Sequence, residues 1–536
     1  TLAGEAAALL VYLSPVAGVV GTSAYVDVAT TAIIFVTFYW THIWDDDRRS
    51  RVLICVGLLS GYCYAAKYTA AVMAVYAAGY VLWRSRNIRL LGFVCAWMLV
   101  MAGPWLVKDW IYVDNPIAPF GNALFRNPYI HIEFERGWSL FLQTYGIASR
   151  WKLPWDALVD GRVTQTPLGP VFLLLPLSLL SLRKQLGRQV LLPAALLMAP
   201  YFANVGSRFL LPSLPFFSLA LALVFENVHV ALLLLVLVHG LSSWPSYLRR
   251  HAHAGWALQQ HVPVRAALRI ESEEHYLRES AGYRAARLIE RSVPPGEKVF
   301  APTGLSNFYS RREILGDYQG ALNEQLADIL AAGWSEFSQP TRELSFRFPV
   351  HPLRRIRVLQ TAAVRQDDEE WNVHEIRLFR DNVEIRSTGN GRFRSFPNPW
   401  DVHYAFDNLD ATRWRSWETA APGMYIDVEF ASPIAVDRVA IETSIDNPDV
   451  RLRLEEMVAE NKWALLSQSP EERVLKPSTS QRRAAAIELQ AHGIRYLFVS
   501  DSDKDHGGTV YASDPESWDF TPIAHEDGTT VYKIGR

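Results

Sequence analysis

LLGFVCAWMLVMAGPWLV, residues 90–107, carries no charged side chain. As an α-helix, such a stretch covers about 27 Å, close to the hydrocarbon thickness of a bilayer. Outward from it, in both directions, lie more blocks of the same kind. They fall near 4–21, 26–44, 51–66, 68–83, 166–182, 189–204, 208–225 and 227–243. In the pair at 51–83, Gly61 and Lys67 interrupt the apolar run, so it reads as two short helices meeting at Lys67. Residues 1–245 are therefore expected to form a polytopic α-helical membrane domain of about nine helices.

The 536 residues have a mean hydropathy of only +0.03, because beyond about Pro245 charges become dense and apolar runs short. A net charge of -2, with no basic stripe, argues against a nucleic-acid partner. Cys55, Cys63 and Cys95 all lie within apolar blocks, so the polar half has no disulfide framework. The chain opens at Thr1 without a basic leader and small-residue cleavage site, which is not a signal peptide. The expectation is a chain that has lost upstream sequence.

Short loops rich in Lys and Arg stay in the cytoplasm. Three stand out: Asp45–Arg51, Arg84–Arg89 and Arg183–Arg188. Two apolar segments separate the first from the second, and two more separate the second from the third. All three then share one side. The same count puts Val20–Tyr25, the Lys67 junction, Lys108–Gln165 and Val205–Arg208 on the other side, with Trp244–Arg536 extracytoplasmic.

In that polar half an amphipathic stretch follows Pro245. A helix is expected at 274–291, stopped by Pro294-Pro295-Gly296, and then a buried strand at Lys298–Ala301. The pattern recurs near the end, with a helix at 480–491 and a strand at 494–499. A hairpin of 521–524 and 529–534 turns at Glu526-Asp527-Gly528. Between these pieces the sequence reads as strands and turns. Tyr425–Phe430 alternates strictly, and a turn at Ser432-Pro433 leads to another strand with Val436, Val439 and Ile441. The fold class expected is multi-domain: after the membrane domain, a small α/β domain (246–344 and 467–536) interrupted by an all-β sandwich (345–466).

In the β segment, Ala405-Phe406-Asp407-Asn408, Thr412-Arg413-Trp414, Tyr425–Phe430 and Val436-Asp437-Arg438-Val439 resemble the discoidin family, the coagulation-factor C-type domain. Asn408 stands where that family usually has Gly, and Glu429-Phe430 replaces the later part of its "D-L-G" strand. The match covers about a fifth of the chain. The resemblance implies a β-sandwich whose loops bind sugars or lipid surfaces. Trp414 reads as packing; Trp417, Trp400 and Tyr404 read as a carbohydrate-stacking platform.

The first 245 residues resemble the polytopic glycosyltransferases that use lipid-linked sugars (the GT-C superfamily), among them protein O-mannosyltransferases and lipid A aminoarabinose transferases. The stretches that carry this are Ser23–Asp27, Gly57–Gly61 leading to Ala66–Thr69, Pro104–Trp110 with Asn115-Pro116 and Pro119-Phe120, and Ser207–Pro212. Around Lys108-Asp109 the family more often has Arg-Asn. The resemblance implies a polyprenyl-phosphate sugar donor, a glycan, lipid or protein acceptor, contact with membrane lipid, and residence in a bacterial inner membrane. It also implies an acidic residue in the first outward loop, and no such motif precedes Asp27.

Transfer from such a donor needs a carboxylate for the acceptor and cations for the phosphate. Asp27, at the outward start of its helix, is the candidate catalytic group. Lys67, Arg208, Tyr68 and Lys108 are the candidate phosphate ligands. No metal-ligand spacing appears; cation use varies across the superfamily, so a divalent cation is compatible with the pattern. The competing expectations are an inactive, membrane-anchored carbohydrate-binding protein and a transporter, whose internal repeats are not seen here.

Overall fold

In apolar surroundings a backbone must satisfy its polar groups within its own segment, which makes each apolar block a helix. The computed structural model describes residues 1–535 except 148, 249, 251, 253–263, 306, 317–319, 335–339, 365–369, 386–390, 446–449, 461 and 476–479. The amphipathic stretch expected after Pro245 lies largely outside the described residues. The chain divides into two units. The first holds residues 1–121 and 136–268, and the second holds 122–135 and 269–536.

The first unit is helical. Its elements are α1 (Leu2–Tyr12), α2 (Pro15–Gly21), α3 (Asp27–Asp47), α4 (Ser50–Ala66), α5 (Ala71–Ser85), α6 (Ile88–Val113), α7 (Ile132–Leu142, whose first turn belongs to the second unit), α8 (Gln185–Ala203), α9 (Leu214–Val224) and α10 (His229–Ser243). Tight 3-10 runs at Pro170–Arg183 and Ser207–Ser213 and short helical turns such as Asp156–Asp160 lie among them. Three helical stretches are long and apolar enough to cross a membrane: Ile88–Val113, Gln185–Ala203 and Ser207–Val224. A fourth is added if the pair α1 and α2, bent by 61°, forms one span. The outward-turned Leu99, Val107, Trp110 and Ile111 of α6 are all more than half exposed, a surface that water disfavours and lipid accepts. This is a membrane protein.

Gly61 does not break α4. The helix runs through it to Ala66, because Gly57 and Gly61 form the face that meets α6. A Cβ on Gly61 would stand 2.2 Å from the Met98 carbonyl oxygen, and one on Gly57 would stand 2.5 Å from the Trp97 Cβ. The break falls at Lys67, whose backbone is extended between α4 and the 3-10 turn Tyr68–Ala70. Two of the basic loops meet, since Arg84 Nε donates to both oxygens of Asp45 at 2.8 and 2.9 Å.

In the second unit, β1 (Lys298–Ala301) and β2 (Glu313–Gly316) join β13 (Ile494–Ser500), β14 (Phe520–Glu526) and β15 (Thr529–Ile534) in a five-stranded sheet of order β14-β15-β13-β1-β2. β1 is parallel to both β2 and β13, while β15 is antiparallel to both its neighbours. Side chains of β13 alternate. Tyr496 and Phe498 pack with Leu288 and Ile289 of α11 (Ala281–Ser292), whereas Leu497 and Val499 pack with α12 (Ala321–Ala331) and α13 (Gln481–Ala491).

Between β2 and β13 the chain builds a second set of strands. These are β3 (Thr341–Gln360), β4 (Glu370–Val373), β5 (Glu375–Arg380), β6 (Val383–Glu384), β7 (Arg392–Phe396), β8 (Trp414–Thr419), β9 (Tyr425–Ser444), β10 (Leu452–Ala459), β11 (Lys462–Ser467) and β12 (Glu471–Leu475). The large sheet has the order β11-β10-β3-β9-β5-β6, with β12 on β3 and β7 on β9; β4 and β8 form a two-stranded sheet. One apolar core joins the two, with Trp371 and Trp414 buried edge-to-face at 5.0 Å. The expected turn at Ser432-Pro433 is instead an irregularity within the continuous strand β9. The register against β3 steps from Leu353–Ile434 to Arg355–Glu429, so residues 430–433 bulge while the strand continues. The strands extend from Thr341 to Leu475, because β12 pairs with the first residues of β3.

Candidate functional site

Asp27 opens α3 and is 3% exposed. Its side chain does not cap the helix; its carboxylate accepts from the Lys67 ammonium. The extended backbone at Lys67 is what releases that side chain from the α4 axis. Arg208, in the 3-10 turn Ser207–Ser213, has its guanidinium 4.2 Å from the Tyr25 ring centre and 5.1 Å from that of Phe209. The Lys67 ammonium lies 4.2 Å from the same Phe209 ring. Lys67 and Arg208 thus share one phenylalanine ring, and Asp27 joins them through Lys67.

The charges in this cluster do not cancel. Asp27 pairs with Lys67, while no carboxylate pairs with Arg208 among the described residues, and its Nε is buried without a hydrogen-bond partner. A desolvated guanidinium N–H without an acceptor is costly, so the arrangement favours an incoming anion. Arg can offer a planar fork to phosphate, and the aromatic faces hold that fork without consuming its N–H groups. Sequence reasoning missed Tyr25 and Phe209 as parts of the site. Both lie inside the quoted stretches Ser23–Asp27 and Ser207–Pro212, and their aromatic type within a stretch that also carries Asp27 or Arg208 was the available signal.

Tyr68 follows Lys67 but points elsewhere: its hydroxyl donates to Asp109 Oδ2 at 2.9 Å. Lys108 is exposed, with its ammonium 4.8 Å from the Trp105 ring centre, and no described contact joins it to the cluster. Of the expected phosphate ligands, the structure brings Lys67 and Arg208 together and places Lys108 apart. Asp109 is engaged as the acceptor of Tyr68.

An apolar groove of about 490 Å³ lies between α1 and α3 in the same unit, and Asp27, Lys67 and Arg208 are not among its lining residues. One wall is the α1 face Gly4, Ala7, Ala8 and Val11. The other is the α3 face Val28, Thr31, Ala32 and Phe35, and Leu211, Pro215 and Leu219 also line it. Each wall follows the i, i+3, i+4, i+7 spacing of one helical face. Val28 adjoins Asp27 in sequence, and Leu211 lies three residues from Arg208. The small residues of α1 leave the gap that larger side chains would fill.

The expected carbohydrate platform does not exist as a surface. Tyr404 is 2% exposed, and its hydroxyl donates to Glu488 Oε1 at 3.0 Å and meets His492 Nε2 at 2.9 Å. Trp417 is buried as well, stacked on His131 at 4.0 Å and 8°, with the Arg415 guanidinium 3.9 Å from its ring centre. Only Trp400, at 38% exposure, presents a ring edge to solvent. Trp414 is core packing, its Nε1 donating to the Asn398 carbonyl at 2.8 Å.

His131 belongs to the short segment 122–135, which the second unit takes up as its own. Arg126 pairs with Glu418, Ala321 N donates to the Tyr129 carbonyl at 2.8 Å, and Asn122 N donates to Glu135 at 3.0 Å. Burial first, and Arg415 second, push the His131 imidazole down to about 3. Among the described residues no three His, Cys, Asp or Glu side chains converge as a metal-ligand set. No protein family, no curated protein and no solved structure matches the chain.

Proposed function

We propose that the helical unit is a membrane glycosyltransferase, moving a sugar from a polyprenyl-phosphate donor to an extracytoplasmic acceptor. The observation that carries this reading is the cluster of one carboxylate and two cations, with a buried unpartnered Arg208 N–H; an apolar groove in the same unit is lined by Val28, next to Asp27 in the chain, and by Leu211, three residues from Arg208. A phosphate head fits the cations and an isoprenoid tail fits the groove. The walls from Val28 to Phe35 extend about 10 Å, enough for the first isoprene units, with the remainder in lipid.

In this mechanism the donor phosphate enters between Lys67 and Arg208 and competes with Asp27 for the ammonium. Asp27 is then free to act as a base. The acceptor oxygen attacks the anomeric carbon, its proton passes to Asp27, and the bond from that carbon to the phosphate oxygen breaks. The lipid phosphate leaves with the electron pair, held by the two cations.

The orientation follows from the basic loops, two of which are joined through Arg84 and Asp45. Segment 122–135 agrees with that count in parity, without choosing the side. A piece of chain packed into the same unit as residues 269–536 must lie on the same side of the membrane as that unit. Counting nine crossings puts both outside the cytoplasm, in keeping with an inner-membrane protein. We read residues 345–466 as a discoidin-like module on the motifs from Ala405 to Val439; without an open aromatic platform, its ligand surface lies elsewhere than Trp417 and Tyr404.

The test uses the full chain in nanodiscs of zwitterionic lipid, with decaprenyl phosphate as the probe. Arg208→Ala and Lys67→Ala are expected to weaken binding by about tenfold or more, as loss of a charge-assisted hydrogen bond to phosphate should. Asp27→Asn should bind the probe nearly as well as the parent and depress transfer. Unchanged binding by Arg208→Ala would overturn the assignment.

A further inference from the structure

A guanidinium without a counter-ion has no carboxylate to fix its direction, so its placement must come from the backbone that carries it. Arg208 is in that position, and the chain around it is clamped from two sides. On one side, Val205 N donates to the Leu142 carbonyl at 3.0 Å. Nearby, the Tyr145 hydroxyl donates to Asn204 Oδ1 at 2.8 Å, and the same oxygen accepts from Gly206 N at 3.1 Å. On the other side, Ser207 N donates to the Thr164 carbonyl at 3.1 Å, and Ser207 Oγ donates to Thr164 Oγ1 at 2.9 Å. Thr164 and Ser207 are both fully buried.

Thr164 is itself fixed by Asp156. This carboxylate is 5% exposed and, among the described residues, pairs with no Lys or Arg. It accepts instead from Arg162 N at 3.0 Å, Val163 N at 3.2 Å and Thr164 N at 2.7 Å. Several backbone N–H groups converging on one carboxyl side chain make a stiff, directional anchor. The turn they close requires Gly161 at φ +62, where a Cβ would stand 2.3 Å from the Pro167 ring.

The geometry points to Asp156 as a positioning residue for Arg208, acting through Thr164 and Ser207. Asp156 touches no substrate in this arrangement; it sets the height and direction from which the unpaired guanidinium meets an anionic head group. The inference rests on the reading of Arg208 as the donor-phosphate ligand.

The experiment again uses the full chain in zwitterionic nanodiscs with decaprenyl phosphate. Thr164→Val keeps the shape and removes the acceptor hydroxyl, and Thr164→Ser restores it. Thr164→Val and Asp156→Ala are expected to weaken binding by about tenfold, the worth of one or two lost hydrogen bonds, with Thr164→Ser within twofold of the parent. In an Arg208→Ala background, Thr164→Val should cost nothing further, because the group it positions is gone. Ser207→Ala serves as the second variant should Thr164→Val fail to fold. Parental binding by the folded Thr164→Val or Ser207→Ala protein overturns the inference while leaving the site intact. So does an equal loss with and without Arg208, which marks general damage. If Arg208→Ala alone binds like the parent, the site reading itself falls, and this inference with it.

Discussion

Arg208 in the helical unit lies beside aromatic rings and, among the described residues, pairs with no carboxylate, whereas Asp427 in the second unit is fully buried among three arginines. Arg355 donates to both its oxygens, at 3.1 and 2.8 Å, and Arg357 and Arg394 close around it at 3.5 Å. Asp328 is comparable: although burial raises it, Arg413 and Arg415 hold its carboxyl well below the usual carboxylate range. The second unit thus uses buried charge to tie together segments far apart in sequence. The helical unit also uses ion pairs, Asp27 with Lys67 and Asp45 with Arg84, beside the glycine face of α4 against α6, and among its described residues Arg208 has no carboxylate partner. Arg357 Nε and Arg394 Nη1 beside Asp427 are likewise buried without a hydrogen-bond partner, so what sets Arg208 apart is that no carboxylate pairs with it among the described residues.

That contrast can be broken by mutation, and the largest effect is expected at Asp427. Replacing it by Ala leaves cations facing one another and should cost about 3–5 kcal/mol in denaturant unfolding followed through the β-rich unit. Unaltered stability there would show that the arginines do not depend on it. Gly61→Ile tests the helical unit. A side chain forced against the Met98 carbonyl should cost about 3 kcal/mol, seen as a lower melting temperature in detergent, with the near-ultraviolet signal of the second unit unchanged.

His131 offers a smaller effect with a definite sign. Its folded value of about 3 lies below the ordinary value of 6.5, so between these the unfolded chain binds more protons. Stability from this group is full above pH 6.5 and falls as the pH drops toward 3. At pH 5 the loss amounts to about 2 kcal/mol. His131→Phe, which keeps a ring against Trp417, should remove that part of the acid sensitivity. The smallest effect is expected at Arg208: Arg208→Met should change thermal stability by less than about 1 kcal/mol, or raise it, because no ion pair is lost. A loss like that of Asp427→Ala would erase the distinction between the two regions.

What was legible in the sequence follows the same division. The apolar stretches fall in helical segments because a helix satisfies its backbone within itself, though residues 4–21 form two helices bent by 61° and three stretches are long and apolar enough to cross a membrane; the break at Lys67 stood out as a lone ammonium in an apolar run. Asp27, Lys67 and Arg208 could be grouped because each marks the end of a helical stretch. Local strands such as Lys298–Ala301 and the terminal hairpin were equally readable. The pairing of β1 with β13, the passage of β9 through Ser432-Pro433, and the burial of Tyr404 by α13 were not, because in each case the partner is set by residues far along the chain. Segment 122–135 was the hardest, since its local sequence names no partner: His131 finds Trp417, and Arg126 finds Glu418, only after the β strands exist.

That last contact also sets a timetable. Arg126 and Glu418 are 292 residues apart. At about 5–20 residues per second of synthesis, the segment waits roughly 15–60 s after it is made before its partner emerges. By the end of that interval the last helix of the first unit, His229–Ser243, has long been made, so the Arg126–Glu418 pair is a late contact, formed only once β8 exists. A chain released before residue 418 would lack this partner of Arg126, while Ala321 could still pair with Tyr129.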